Sequence, residues 1–351
     1  MSTSTLPESL PESSEPLLDV RDLRIVYDSP RGPVEACSGV NLTVRPGEFV
    51  GIVGESGCGK STLLYAITRL LGPPFAGEIM EGQIVFQGRD MVALTERQLR
   101  HIRWREFSVV MQSAMNALNP VRTIGDQFKD AILAHEKWSE ERIRERSAEV
   151  LRLVSIDPVH LGSYSHQLSG GMRQRAMIAM ALLFTPDLIV MDEPTSALDV
   201  VAQRSLMVQI KELQQELGFA VVFVTHDMSL VSHFSDRLLV MYAGQVVEFG
   251  PTRKVFDSPS HPYSKSLLDA FPSIRGPKVP LLGIPGDPPN LANPPEGCRF
   301  NPRCPAVKER CRSEAPELYT LAASPDVVSR CLAHHPTNAL DVELVSEVQS
   351  S

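Results

Sequence analysis

Gly54-Glu55-Ser56-Gly57-Cys58-Gly59-Lys60-Ser61-Thr62 decides the fold. The stretch fits G-x-x-x-x-G-K-[ST], a loop that wraps phosphate. Phe49-Val50-Gly51-Ile52-Val53 before it reads as a short buried strand, and residues 63–71 after it read as an apolar helix. Strand, loop and helix in that order are the context the motif requires. The glycines let backbone N–H groups turn inward onto phosphate oxygens. The helix start adds unpaired N–H groups and the positive end of a dipole. Lys60 is expected at the β- and γ-phosphates, the Ser61 hydroxyl on Mg²⁺ and Thr62 at the α-phosphate. The bland alternative, a chance glycine-rich turn, does not account for the flanking strand and helix.

Outward from the loop, 351 residues allow one large domain and a smaller one. Apolar content of 43% supplies a core, and a net charge of −8 argues against a dedicated nucleic-acid binder. No apolar run is long enough to span a bilayer. Residues 1–16 are rich in Ser, Glu and Pro, without the basic and apolar regions of a secretory signal. They read as a disordered tail, and the protein as soluble and cytoplasmic.

Residues 17–27, 40–44 and 82–88 read as strands, and Tyr27 is a candidate to stack on an adenine ring. From about residue 94 to 183 the pattern turns helical, with apolar Ile143, Val150, Leu151 and Val154 near helical spacing. This is expected to be a helical insertion in an α/β nucleotide-binding core. Within it, Val109-Val110-Met111-Gln112 leads into a loop. Leu168-Ser169-Gly170-Gly171-Met172-Arg173-Gln174-Arg175 follows, a Ser-Gly-Gly turn opening onto a helix over 173–184. That is a second anion site at a helix start. One chain has little use for two such sites on one triphosphate, whereas two chains packed head to tail do.

Asp187-Leu188-Ile189-Val190-Met191-Asp192-Glu193 is an apolar strand ending in two carboxylates. Behind a phosphate loop, the Asp at that strand end holds Mg²⁺. Glu193 can orient the attacking water and act as general base. Asp199 caps a helix over 200–217. Residues 220–224 form another buried strand, and His226 just past its end can bond a γ-phosphate. A hairpin over 238–249 turns at Ala243-Gly244. After residue 258 the composition changes: His261-Pro262-Tyr263 precedes a short helix, and 272–302 is too rich in proline for helix or central strand.

Taken together, residues 54–62, Gln112, residues 168–174, residues 188–193 and His226 resemble the ATPase subunit of an ABC transporter, over roughly 17–259. The fold so implied is an α/β P-loop core with a helical subdomain at about 94–183, followed by a small irregular extension over 260–351. The resemblance implies a head-to-tail dimer, each ATP held by one subunit's phosphate loop and the other's Ser169, Gly170 and Gly171. It puts Gln112 on Mg²⁺ beside Ser61 and Asp192, Asp199 at the dimer interface and Tyr27 on the adenine. Catalysis falls to Glu193, His226 and Gln112. Met172 departs from the glutamine common in the family but is similar to one subgroup, the oligopeptide/dipeptide importers. Asn116-Ala117-Leu118-Asn119-Pro120, His261-Pro262-Tyr263 and Gly297-Cys298-Arg299-Phe300-Asn301-Pro302-Arg303-Cys304-Pro305 resemble that subgroup too. It implies two integral membrane permease subunits, a second ATPase and an extracytoplasmic solute-binding protein, with this chain on the cytoplasmic face. Peptides are the expected cargo, with oligosaccharides or nickel as alternatives. A soluble non-transport ATPase or a regulatory subunit is a further alternative.

Four of the six cysteines lie in the tail, Cys298, Cys304, Cys311 and Cys331, spaced C-x5-C-x6-C-x19-C. Four thiolates suit a [4Fe–4S] cluster or a tetrahedral zinc ion. Cys304-Pro305 is of the kind that closes iron–sulfur motifs, and the C-x-x-C hairpin of zinc knuckles is missing. Free buried thiols are the third reading. Cys58 stands at a variable loop position, where packing of a small side chain is the plain account.

Overall fold

The computed structural model describes residues 15–30, 32–71, 77–112, 117–196, 198–270 and 283–336. Residues 1–14 of the amino-terminal tail, part of the loop after Gln112 (with Asn116), Ala197 and the first third of the proline-rich stretch lie outside them.

Two sheets organise the chain. Strands β1 (Leu18–Tyr27), β2 (Val34–Val44), β4 (Gly77–Phe86) and β5 (Arg89–Asp90) form an antiparallel sheet in the order β2-β1-β4-β5. The larger sheet runs β11 (Tyr319–Leu321), β12 (Ser324–Ser329), β10 (Gln245–Pro251), then β9-β3-β8-β7-β6. Its nucleotide half is parallel: β9 (Arg237–Tyr242), β3 (Phe49–Val53), β8 (Ala220–Val224), β7 (Leu188–Asp192) and β6 (Phe107–Val110). Strand β10 (Gln245–Pro251) pairs antiparallel with β9 around Ala243 and Gly244, both at positive φ.

Every residue of β3, β7 and β8 is buried. Successive side chains of a strand point to opposite faces, so both faces must be covered. Val50, Ile52, Leu188, Val190, Val222 and Val224 pack into a core shared with the antiparallel sheet. Phe49, Val53, Ile189, Met191, Val221 and Phe223 face a second core that takes in the helical region. That region holds α3 (Ile124–Leu133), α4 (Glu140–Leu153) and α5 (Gly170–Ala181). Two shorter helices come earlier, α1 (Lys60–Ile67) and α2 (Glu96–Ile102). Leu99 and Ile102 of α2 are buried with the antiparallel sheet, and β6 is a strand of the main sheet. The segment expected to be helical from 94 therefore begins with core elements, and its own helices follow β6.

The tail is more regular than its proline content predicts. After α6 (Val200–Leu217), α7 (Met228–Phe234), α8 (Thr252–Asp257) and α9 (Pro262–Asp269) comes α10 (Arg310–Ser313), then β11 (Tyr319–Leu321) and β12 (Ser324–Ser329). Strand β12 pairs with β10 at Glu248↔Ser329 and Phe249↔Val328, extending the main sheet. Pairing from a distant segment leaves no periodicity long enough to read in a short strand, which is why the sequence hid it.

Candidate functional site: the phosphate loop and its carboxylates

The loop joins β3 to α1. Gly54, Gly57 and Gly59 all have positive φ. A Cβ at Gly54 would collide with the Met241 carbonyl oxygen, and one at Gly59 with that of Ala36. Only glycine lets the chain pass there. Lys60 is buried, its Nζ donating to the carbonyls of Gly54 at 2.8 Å and Glu55 at 2.9 Å. It thus lies folded over the loop it belongs to. Cys58 is buried, its Sγ 3.7 Å from Lys60 Nζ, and burial pushes its thiol up. Packing of a small side chain describes it well.

Asp192 ends β7, beside the loop. Among the described residues neither of its buried carboxylate oxygens has a partner at full hydrogen-bond geometry, although the Ser61 hydroxyl is near enough to act on it. Burial pushes its pKa up, the Ser61 hydroxyl and Lys60 pull it down, and Glu193 adds to the rise. A buried carboxylate next to a hydroxyl is the donor chemistry that hard cations take. Ser61 and Asp192 therefore fit the expected Mg²⁺, which would neutralise triphosphate charge.

Glu193 follows in a left-handed conformation, φ 46°, held by its N–H donating to the Val224 carbonyl at 2.9 Å. Strain of this kind collects at working sites. Gln112 Nε2 donates to Glu193 Oε2 at 2.9 Å, and His226 Nδ1 lies 3.4 Å from Oε1. Three residues from the ends of β6, β7 and β8 thus meet at one carboxylate. Parallel strands carry their loops to the same edge, which is how a sequence separation of 81 becomes a hydrogen bond. His226 is 71% exposed, so its ring faces open solvent above the site.

Tyr27 closes the other side, its Oη donating to Thr62 Oγ1 at 3.2 Å. Gly77 packs against its ring so closely that a Cβ there would lie 2.7 Å from the ring edge. Ser169 caps α5, its Oγ accepting from Met172 N at 3.3 Å, and the helix starts at Gly170 rather than 173. Asp199 caps α6, its Oδ1 accepting from Ala202 N at 2.9 Å. Among the described residues no hydrogen bond ties Ser169, Gly170, Gly171 or Asp199 to the phosphate loop of the same chain.

Sequence reasoning left three neighbours of the loop without a role. Tyr263, wholly buried, accepts the Glu55 N–H at 2.9 Å. Its ring packs 4.5 Å from that of Tyr242 and 5.4 Å from that of Phe300, centroid to centroid. Arg303 grips the Glu55 carboxylate at 2.7 and 2.9 Å. Arg299 donates to the Ala243 carbonyl and to Glu35, both at 2.6 Å. The signal was the likeness of His261-Pro262-Tyr263 and of residues 299–303 to the importer subgroup, which carries no address in the fold.

The four tail cysteines are free thiols. Burial pushes Cys304 and Cys331 up to about 12, and the field at Cys331 includes contributions from Cys298, Cys304 and Cys311. The four therefore lie in one neighbourhood. Among the described residues, however, no group of three or more His, Cys, Asp or Glu side chains is arranged to hold a metal ion.

Residues 37–196 match the ABC transporter family, and residues 247–311 match the oligopeptide/dipeptide transporter C-terminal region. The dipeptide transport ATP-binding protein of Caldanaerobacter subterraneus is 41% identical over 87% of this chain and 94% of its own length. The oligopeptide transport ATP-binding protein of Salmonella typhimurium is 42% identical over 90% of this chain and 94% of its own. A bacterial ABC transporter cassette solved as a dimer superposes with a TM-score of 0.60 at 31% identity, covering 67% of this chain and 99% of that one. The same cassette was also solved as a dimer in a post-hydrolysis state with ADP and Pi, with the same score. With the loop, its carboxylates and this likeness over most of its length, the chain belongs to the ATP-binding subunits of ABC transporters, in their oligopeptide/dipeptide branch.

Proposed function

We propose that this chain hydrolyses ATP to drive uptake of dipeptides or oligopeptides through a membrane transporter. The observation that carries the ATPase reading is the meeting of Gln112 and His226 on Glu193, beside Asp192 and Lys60. Hydrolysis needs little covalent help, so positioning and charge neutralisation dominate. Lys60 and the loop N–H groups hold the triphosphate. Glu193 takes the proton of the attacking water, with Gln112 and His226 fixing where its oxygens point. The peptide cargo is supported by the names of the relatives and by the matching carboxy-terminal region.

Among the described residues no helix is long and apolar enough to cross a membrane, so the path for solute belongs to other subunits. In this reading two permease subunits, a second ATPase and an extracytoplasmic binding protein complete the machine, with this chain peripheral on the cytoplasmic face. Ser169, Gly170 and Gly171, unattached to their own phosphate loop, complete the site of the partner ATPase. Losing the γ-phosphate removes the bridge between the two, a recognised form of switch. The test is hydrolysis and uptake by the complete transporter in vesicles. Glu193→Gln is expected to retain ATP binding and lose about 100-fold or more in kcat, the usual worth of a general base. Full turnover by that variant would overturn the assignment.

The tail supports a second, structural reading: its thiols form a metal site, iron–sulfur before zinc. The support is four free cysteines in one neighbourhood; burial keeps Cys304 and Cys331 protonated, a cost that a metal would have to overcome. Metal binding would release those protons, as ligation by thiolate requires.

A further inference from the structure

Glu55 puts a negative charge into an anion-binding loop, one residue past Gly54. Each of its polar parts is occupied. Its N–H donates to Tyr263 Oη at 2.9 Å, its carbonyl accepts Lys60 Nζ at 2.9 Å, and its carboxylate is forked by Arg303. The Arg303 side chain is 5% exposed and the Glu55 side chain 22%. Arg303 is itself pinned, Nε donating to the Pro285 carbonyl at 2.8 Å and one amino group lying 3.3 Å from Tyr242 Oη. The surrounding segment is moored by Arg299 to the β9–β10 turn and to Glu35. The pair spans 248 positions of sequence, from the carboxy-terminal extension to the second residue of the phosphate loop.

We infer that Arg303 is a positioning residue for nucleotide binding: it holds and neutralises Glu55, so that the extension sets the geometry and charge of the phosphate loop. A bidentate guanidinium–carboxylate pair fixes orientation as well as charge. Left without Arg303, Glu55 is an unneutralised carboxylate within the loop that takes the phosphates, and like charges repel. Tyr263 does the same work on the backbone, holding the Glu55 N–H away from the phosphates. This rests on the ATPase reading above.

The experiment is a titration of the full-length chain with ATP, together with steady-state hydrolysis by the assembled transporter. Arg303→Met is expected to weaken ATP binding about tenfold, the scale of one unscreened charge repelling another across a partly exposed site, and to raise KM for ATP with kcat within about twofold. The double variant Glu55→Gln/Arg303→Met removes both charges and is expected to recover affinity to within about threefold of the unaltered chain. A pair that only docks the tail predicts the opposite, with the double variant binding no better than the single. Should Arg303→Met not fold, Tyr263→Phe deletes one hydroxyl and is expected to weaken binding about threefold. Unchanged affinity in whichever variant folds, or a double variant as weak as Arg303→Met, would overturn the inference and leave the ATPase reading intact. No ATP binding by the unaltered chain would overturn both.

Discussion

Asp192 and Glu193 are neighbours with opposite surroundings. The first is buried with neither oxygen at full hydrogen-bond geometry among the described residues, and the second is tied at both oxygens to side chains from other strands. In the proposed reading one carboxylate serves a cation and the other a water, and their different environments suit that division of labour. The loop glycines differ in the same way. Gly57 and Gly59 both have positive φ, yet a Cβ at Gly57 meets nothing within 4 Å while one at Gly59 strikes Ala36. Gly57→Ala should therefore cost only backbone strain, about 1 kcal/mol, and Gly59→Ala about 3 kcal/mol or more. Thermal or urea unfolding of the nucleotide-free chain measures the difference. Equal losses would remove the Ala36 contact as the cause.

At the scale of elements, α9 connects the phosphate loop to the tail through buried titratable groups. Glu248, wholly buried on β10, accepts the N–H groups of Ser260 and His261 at 2.7 and 3.0 Å. His261 Nδ1 accepts from Tyr263 N at 3.0 Å, so the neutral ring keeps its proton on Nε2. Burial lowers His261 to about 3, with His334 and Arg330 nearby, and raises Glu248 to about 7. The signs oppose. His261 stabilises the fold above its ordinary value of 6.5 and loses that contribution as pH falls towards 3. Glu248 stabilises below its ordinary 4.5 and loses its contribution as pH rises through about 7. Between pH 4.5 and 6.5 the two act against each other. Glu248→Gln is thus expected to make the chain less stable as pH falls across that window, and His261→Asn to make it more stable. Melting curves at several pH values check both slopes, and parallel slopes in the two variants would refute this account.

For the whole molecule, the extension is part of the fold around the nucleotide. It adds β12 to the main sheet, packs Phe300 on Tyr242 and Tyr263, and reaches Glu55 through Arg303. Cys298 and Cys304 bracket the segment that carries Phe300 and Arg303, so a metal on the four thiols would brace it. Chain purified without oxygen is expected to be brown, absorbing near ~400 nm, with about four irons per molecule. One zinc per chain in colourless protein would replace iron by zinc, and protein holding neither would end the metal reading.

The parallel core, the phosphate loop and the two carboxylates were legible in residues 49–62 and 187–193, because each is a local pattern: an apolar strand, then a turn of fixed chemistry. Gln112 and His226 were legible as motif positions. Their convergence on Glu193 was not, since it depends on strands β6, β7 and β8 lying side by side. The tail stayed illegible longest. Proline density in 272–302 speaks against regular elements nearby, and nothing local shows that Arg303 finds Glu55 or that β12 finds β10. Short-range physics acts between residues close in the chain and can be read along it. Contacts spanning hundreds of positions exist only once the backbone has closed, and at this site those contacts hold the loop in place.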